Sequence, residues 1–350
     1  MTSRFPNLVT SLGLAVMAGI SYNLLGRFGL LFTIPSMSLS VFWPPNAGTL
    51  AILLLSHKRY WSFIFVGSML GDFPNELALT NGGYNDSIIM VIMDSLSSLL
   101  PALVIRKFAG DTYVRNCMSW FILLIISYTM VSSFCGLVVS LAVYDNKTLN
   151  DVVSTTLTWV MSDITSVLII VTLSIAVFEL ISSLKRNEIN FNHFAHKVSG
   201  FCVLVLFIGI GSYYEFFVYY PIHRVTINLF LPFLLAASYY YGLIGAGVGC
   251  AIIMIGAGLT PLMVNFGSDP GTLTNIVFQL QANELFNIIA AILLACVTTK
   301  LRYANRDLIE SVKRAESALE RAERGEREAR YQANEIELIY MYAPIGLCLM

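Results

Sequence analysis

The sequence predicts an all-α fold: a polytopic transmembrane bundle of about ten helices, followed by a C-terminal cytoplasmic coiled-coil helix. The 350 residues are 56% hydrophobic and 12% charged, whereas soluble domains carry about 25% charged residues. Apolar runs fill residues 1–300, and a densely charged segment with a seven-residue repeat follows. These observations together predict a membrane domain joined to a helix that can pair with a second copy.

The apolar runs define the membrane segments. A helix needs about 20 apolar residues to cross a hydrocarbon core about 30 Å thick. Ten segments are predicted: 8–27, 37–55, 60–78, 86–106, 118–143, 152–180, 197–219, 225–241, 243–263 and 275–300. The weakest boundary is the turn Tyr239-Tyr240-Tyr241-Gly242 between the eighth and ninth segments.

The basic residues of the loops predict the orientation, because cytoplasmic loops are enriched in Lys and Arg. With the N-terminus inside, the inner loops hold His57-Lys58-Arg59, Arg106-Lys107, Arg115, Lys185-Arg186, Lys197, Lys300, Arg302 and Arg306. The outer loops hold only Arg27, Lys147 and Arg224. An even number of crossings then places both termini in the cytoplasm.

The charged segment over 301–338 predicts a parallel homodimer. After Leu301, its seam consists of Leu308, Ala315, Ala322, Ala329 and Ile336. Three alanines bury little area and Gly325 disfavours the helix, so the pair should be weak enough to switch between arrangements. The alternative is a solvated single helix held by pairs of opposite charge four residues apart.

Residues 339–350 are expected to leave the helix. Pro344 should end it, and the apolar run after Pro344 is typical of a strand. Because a strand without a partner is not a finished domain, we expect a cytoplasmic domain to continue beyond Met350.

Polar residues inside the apolar segments are the candidate ligand-binding residues, because burying charge in a bilayer is costly. The set is Trp43, Asn46, Asp72, Asn75, Asp94, Asp163, Asn283, Glu284 and Asn287. In the predicted topology most of them lie toward the outer side. They favour a pocket for an unknown small ligand from that side: a cationic, amine-bearing or hydroxyl-rich molecule, or protons. The alternative is hydrogen bonding that holds the helices together. Glu215 is interpreted as an interface residue.

Pro44 and Pro45 allow two interpretations. They either break a membrane helix beside a cavity or occupy the first turn of a helix, where proline costs little. No motif of a soluble catalytic site is found, and no cofactor, metal or nucleic-acid partner is expected. The six scattered cysteines are interpreted as packing residues.

The run Phe42-Trp43-Pro44-Pro45-Asn46-Ala47-Gly48 resembles the membrane-associated sensor (MASE) domain, first class. The segments His57–Trp61, Asp94–Lys107 and Trp159–Asp163 resemble the same domain. Where that family usually has Gly-Asp, this chain has Ser162-Asp163, and residues 340–350 resemble the start of a PAS domain. The resemblance implies a sensor domain over 1–300, a signalling helix over 301–338 and the start of a PAS-like domain over 339–350.

The resemblance also implies a function: a sensory input module in the bacterial inner membrane. The output would be a c-di-GMP diguanylate cyclase or phosphodiesterase, with a histidine kinase as the alternative. From the residues themselves, a transporter or a passive membrane anchor stays open; the coiled coil favours a sensor, because a transporter has no need for one.

Overall fold

The computed structural model describes residues 7–34, 39–80, 83–110, 117–143, 148–185, 191–223, 226–263 and 270–347. The chain divides into two compact units, Met1–Thr299 and Lys300–Met350. Residues 348–350 of the expected strand and the loop residues Arg115, Lys147, Arg186 and Arg224 lie outside the described residues.

The described chain is almost entirely helical. Its helices are α1 Leu8–Leu30, α2 Pro44–Leu55, α3 Trp61–Leu79, α4 Tyr84–Phe108, α5 Cys117–Ala142, α6 Leu149–Lys185, α7 Phe191–Tyr213, α8 Tyr220–His223, α9 Leu231–Tyr241, α10 Leu243–Met263 and α11 Pro270–Leu347. A π turn over Tyr214–Tyr219 joins α7 to α8, and a 3-10 turn over Lys58–Tyr60 precedes α3. Two short strands, Thr33–Ile34 and Leu39–Ser40, pair antiparallel between α1 and α2.

The number of membrane crossings differs from the number of helices. Seven helical segments of the described chain are long and apolar enough to span a bilayer. α2 and α9 have 12 and 11 residues, which cover only about 18 and 17 Å at 1.5 Å per residue. α3 has 19 residues, but Asp72, Asn75 and Glu76 make it less apolar. The predicted bundle is therefore confirmed as a multi-pass helical protein, and the count of ten stays a prediction.

The second predicted segment, 37–55, is wrong at its start, because Leu39–Ser40 is a strand and α2 begins at Pro44. Pro44 and Pro45 occupy the first turn of α2, which agrees with the second interpretation of this pair. Proline fits there because the first N–H groups of a helix have no partner within it.

α2 is the most enclosed helix and packs against α1, α4 and α6. Ten of its 12 residues are buried. α1 and α3 approach each other through glycines: a Cβ added at Gly67 or Gly71 would lie 2.1 Å from a backbone carbonyl oxygen of α1. Only glycine permits that approach, and it brings the polar residues of α3 toward the helices around α2.

The described residues of the second unit, 300–347, form the C-terminal part of α11. Arg314, Arg327 and Arg330 each pair with a glutamate four residues earlier. The expectation that Pro344 ends the helix is wrong, because α11 continues to Leu347. A strand needs a neighbour for its backbone hydrogen bonds, and a helix forms its own within the segment.

Candidate functional site

The acid cluster, formed by Asp72, Glu76, Asp94 and Asp163, lies where α3, α4 and α6 approach α2. Asp72 and Glu76 are four residues apart on α3, so they share one face of that helix. Asp72, Glu76 and Asp94 each offer a carboxylate oxygen within 4.8 Å of the other two. All four side chains are buried. Three carboxylates at this spacing are able to contact one metal ion.

Asn46, in the first turn of α2, links the acid cluster to α1. Its amide nitrogen donates to Asp94 Oδ1 at 2.6 Å and to Asp163 Oδ1 at 3.2 Å. Its Oδ1 accepts a hydrogen bond from the Tyr22 hydroxyl at 2.7 Å. Ser132 donates to the other oxygen of Asp163 at 3.0 Å. Asn46 therefore uses both ends of its amide and holds Asp94 and Asp163 in place.

The acid cluster has more acceptors than donors. Both oxygens of Asp72, both of Glu76 and Oδ2 of Asp94 have no hydrogen-bond partner among the described residues. The buried side chains of the described residues include no Lys, Arg or His. Arg106 is half-buried, and its guanidinium donates to the carbonyl groups of Leu54 and Ser56. Buried acids without a base or hydrogen-bond donors must be neutralised by protons or by a cation, so the cluster is a candidate functional site.

A second polar group, the amide clamp, joins the π turn to α11 through the segment before α9. It consists of Glu215, Asn228, Asn283, Glu284 and Asn287. Glu215 is fully buried, and its carboxylate accepts hydrogen bonds from the backbone N–H groups of residues 227–229, at 3.0, 2.9 and 2.8 Å. These N–H groups precede α9, so no helical carbonyl is available to them. Glu215 supplies the missing acceptors, and its interpretation as an interface residue stays a prediction.

Asn228 connects this segment to α11. Its backbone has φ +54°, a left-handed conformation that asparagine tolerates better than most residues. Its side-chain oxygen accepts hydrogen bonds from Asn287 at 2.9 Å and Asn283 at 3.1 Å. Asn283 also donates to Glu284 at 3.2 Å. The clamp therefore fixes one face of α11 to the segment before α9.

Gln281 provides another link to α11. Its amide nitrogen donates to the carbonyl oxygen of Val41 at 2.8 Å, and the Gln281 side chain is buried. Val41 lies in the extended segment that leads into α2, five residues before Asn46. The same helix is thus bonded to the lead-in of α2 and to the lead-in of α9.

The structure divides the predicted ligand residues between these two places. Asn46, Asp72, Asp94 and Asp163 meet in the acid cluster, and Trp43 lies beside the Asp94 carboxylate. Asn283, Glu284 and Asn287 lie in the amide clamp. Asn75 is buried, but its amide lies against Gly26 and its nitrogen has no partner among the described residues.

Sequence reasoning missed four side chains that hydrogen-bond or lie within these two places or link them: Tyr22, Glu76, Ser132 and Gln281. Glu76 could have been predicted from the sequence, because its spacing from Asp72 places both residues on one helical face. Tyr22 and Gln281 carry no such signal, since single polar groups within apolar helices are common.

These features define a multi-pass membrane protein whose interior holds buried acids, and the family comparison agrees with that class. Residues 14–302 match the model of the MASE1 family, so the chain belongs to this family, a membrane sensory domain of signalling proteins. Neither the curated proteins nor the solved structures gave a match.

Proposed function

We propose that this membrane sensor module controls a cytoplasmic c-di-GMP output, a diguanylate cyclase or phosphodiesterase, through a dimer of α11. The observation that carries the proposal is the position of α11. Gln281, Asn283 and Asn287 bond it to the lead-ins of α2 and α9, and the same helix contains the charged segment from 301. A signal that rearranges either lead-in therefore acts on the helix that leaves the membrane domain.

The two lead-ins also support a ten-crossing topology with both termini in the cytoplasm. Residues 41–43 are buried and extend α2, and at about 3.3 Å per residue they add about 10 Å to its 18 Å. Non-helical backbone at membrane depth is tolerated when it is buried in protein and its polar groups have partners. Glu215 supplies such partners before α9, and Gln281 does so before α2.

The exposed apolar residues of the charged segment support a second copy as its partner. Leu308 and Ile336 of the predicted seam are 61% and 54% exposed. Val312 and Leu319, each four residues after a seam position, are also exposed and complete an a/d pattern. Glu326 at the equivalent position weakens the pattern, which fits a dimer that switches.

The test replaces Ala315, Ala322 and Ala329 with leucine in the full-length parent protein and measures c-di-GMP in membranes. Leucine buries more area in the seam, so the variant should dimerise more tightly and hold the output at one level. The control places leucine at Ser317, Arg324 and Tyr331, which lie on the face of the helix opposite the seam. If the seam variant stays monomeric, or responds to signals like the control, the dimer mechanism is wrong. If the parent neither makes nor degrades c-di-GMP, the output assignment is wrong.

Reporter fusions test the topology independently. Fusions after Leu79 should report the periplasm, and fusions after Lys185 and Arg306 should report the cytoplasm. A periplasmic signal at Arg306 would overturn the proposed orientation.

A further inference from the structure

Resting on the proposed sensor function, we propose that the acid cluster binds a divalent cation of calcium size, held by Asp72, Glu76 and Asp94. The cation is then the signal, or part of the signal, that this module detects. The argument uses the separation of the carboxylates, the unpartnered groups around them and the charge of the interior.

The separation of the three carboxylates suits a large divalent ion. Ca²⁺ takes oxygen ligands at about 2.3–2.6 Å, so ligands on opposite sides of the ion lie up to about 5 Å apart. For Mg²⁺, with ligands at about 2.0–2.1 Å, the limit is about 4.2 Å. The oxygens of Asp72, Glu76 and Asp94 lie within 4.8 Å of one another. One divalent ion is therefore able to contact all three carboxylates, and the number of carboxylates favours Ca²⁺, because Mg²⁺ usually keeps several water molecules and uses one or two carboxylates.

The free oxygens also suit an ion. Asp94 Oδ1 accepts a hydrogen bond from Asn46. Asp94 Oδ2 and both oxygens of Asp72 and of Glu76 have no hydrogen-bond partner among the described residues. Calcium takes six to eight oxygen ligands in flexible geometries, and carboxylates, carbonyl groups and water molecules all supply them. Asn46 orients Asp94 through a hydrogen bond. Residues that hydrogen-bond to a metal ligand in this way typically increase the affinity for the metal.

The Tyr128 hydroxyl is an independent indication of a ligand. It belongs to α5, its side chain is fully buried, and its oxygen has no hydrogen-bond partner within the described chain. The hydroxyl interacts electrostatically most with Asp163 and less with Asp94, which places it on the Asp163 side of the cluster. A buried phenol without a partner is uncommon, because it loses its hydrogen bonds to water and gains nothing in return. A cation with its own water molecule would supply the missing partner.

Charge balance supports the same ligand. Four buried acids meet without a buried base in the described chain. The N-terminus of α2, where Asn46 lies, contributes a positive field of about half a unit charge. A divalent cation would neutralise most of the remainder and draw α3 and α4 together. Through Asn46 and the lead-in of α2, this change would reach Gln281 and α11.

The experiment uses residues 1–350 in lipid nanodiscs, stripped with chelator and titrated with CaCl₂, MgCl₂ or NaCl. Calorimetry and thermal unfolding are recorded together. We expect saturable Ca²⁺ binding and a Tm that rises with Ca²⁺ concentration, because a ligand that binds only the folded state stabilises it. Glu76→Gln and Asp72→Asn should weaken Ca²⁺ binding about tenfold or more. Asp86→Asn, which removes a carboxylate from α4 outside the cluster, should bind like the unmodified chain.

Three outcomes would overturn the proposal: no saturable Ca²⁺ binding, equal binding by E76Q and D86N, or a Tm that depends on pH alone. The last would assign the cluster to protons. Glu76→Asp serves as the second variant, since it keeps the charge if E76Q does not fold. The sensor function is tested separately. If the unmodified chain binds Ca²⁺ but the output of the parent protein does not respond to Ca²⁺, the binding site is retained and Ca²⁺ is not the signal.

Discussion

The acid cluster and the amide clamp both contain buried acids, but Glu215 of the clamp accepts hydrogen bonds that Asp72 and Glu76 of the cluster lack. In the clamp, Glu215 receives three backbone hydrogen bonds, and both of its oxygens are used. In the cluster, Asp72 and Glu76 receive none from the described residues. The side chains of Glu215, Asp72 and Glu76 are all buried. Burial alone therefore does not distinguish Glu215 from the acids of the cluster; the number of hydrogen-bond donors around each acid does.

The difference has a direct energetic consequence. An acid that accepts backbone N–H groups stabilises the fold, and its removal leaves those groups unpaired. An acid without donors or a cation opposes the fold, and its neutralisation relieves a penalty. The same substitution, glutamate to glutamine, should therefore have opposite effects in the two places.

The largest effect is expected at Glu215. Glu215→Ala removes the acceptor of three buried N–H groups and should lower the free energy of unfolding by about 3 kcal/mol or more. Glu215→Gln keeps one oxygen and should lose less. SDS titration in mixed micelles measures both, with Asp86→Asn as the control. A loss for E215A no larger than that of D86N would contradict the structural role of the clamp.

Asn228 should give the next largest effect. Asn228→Ala and Asn228→Gly both remove the acceptor shared by Asn283 and Asn287, so both should destabilise by about 1–2 kcal/mol. Alanine should cost about 1 kcal/mol more than glycine, because φ +54° is strained for a residue with a Cβ. The same titration compares the two variants. Equal stabilities would mean that the left-handed backbone contributes no strain.

Glu76→Gln should act in the opposite direction. In cation-free buffer we expect the free energy of unfolding to rise by about 1 kcal/mol, since an uncompensated buried carboxylate becomes neutral. Saturating Ca²⁺ should reverse the order, because only the unmodified chain gains the ligand. If E76Q lowered the free energy of unfolding as much as E215Q does, the acid cluster and the amide clamp would not differ in the way proposed.

The smallest effect is expected at Gln281. Gln281→Met keeps the size of the side chain and removes the bond to Val41, which should cost about 1 kcal/mol. Its value lies in a double-mutant cycle with Asp94→Asn. If the cluster is coupled to α11 through the lead-in of α2, the two effects should not add. Simple additivity would place the coupling elsewhere.

The sequence predicted the helices well and the grouping of polar residues only in part. Segments 86–106 and 118–143 correspond to Tyr84–Phe108 and Cys117–Ala142, because an apolar run of this length has few alternatives to a helix. Position along a helix predicts a depth for Asp94 and Glu284, but depth does not fix the side of the bundle that each faces. The division between cluster and clamp depends on packing between helices, which a single sequence does not encode locally.

The C-terminal end shows a different limit. The residues after Pro344 have a strand-like composition, yet α11 is helical through Leu347. Strand pairing needs a partner from elsewhere in the chain, so composition alone misjudged this segment. The PAS-like start therefore stays a prediction that rests on resemblance.

The π turn over Tyr214–Tyr219 has a consequence for how this fold tolerates insertions and deletions. A π turn holds one residue more than the same length of α-helix, so it behaves as a single-residue insertion that the helix has absorbed. Deleting one residue there would regularise the helix. Forming a regular α-helix over all six residues would instead rotate the residues on one side by about 100° relative to those on the other, since an α-helix turns once in 3.6 residues. The position of Glu215 opposite residues 227–229 therefore depends on the wide turn. Chain length, and not only residue identity, is thus constrained at this turn.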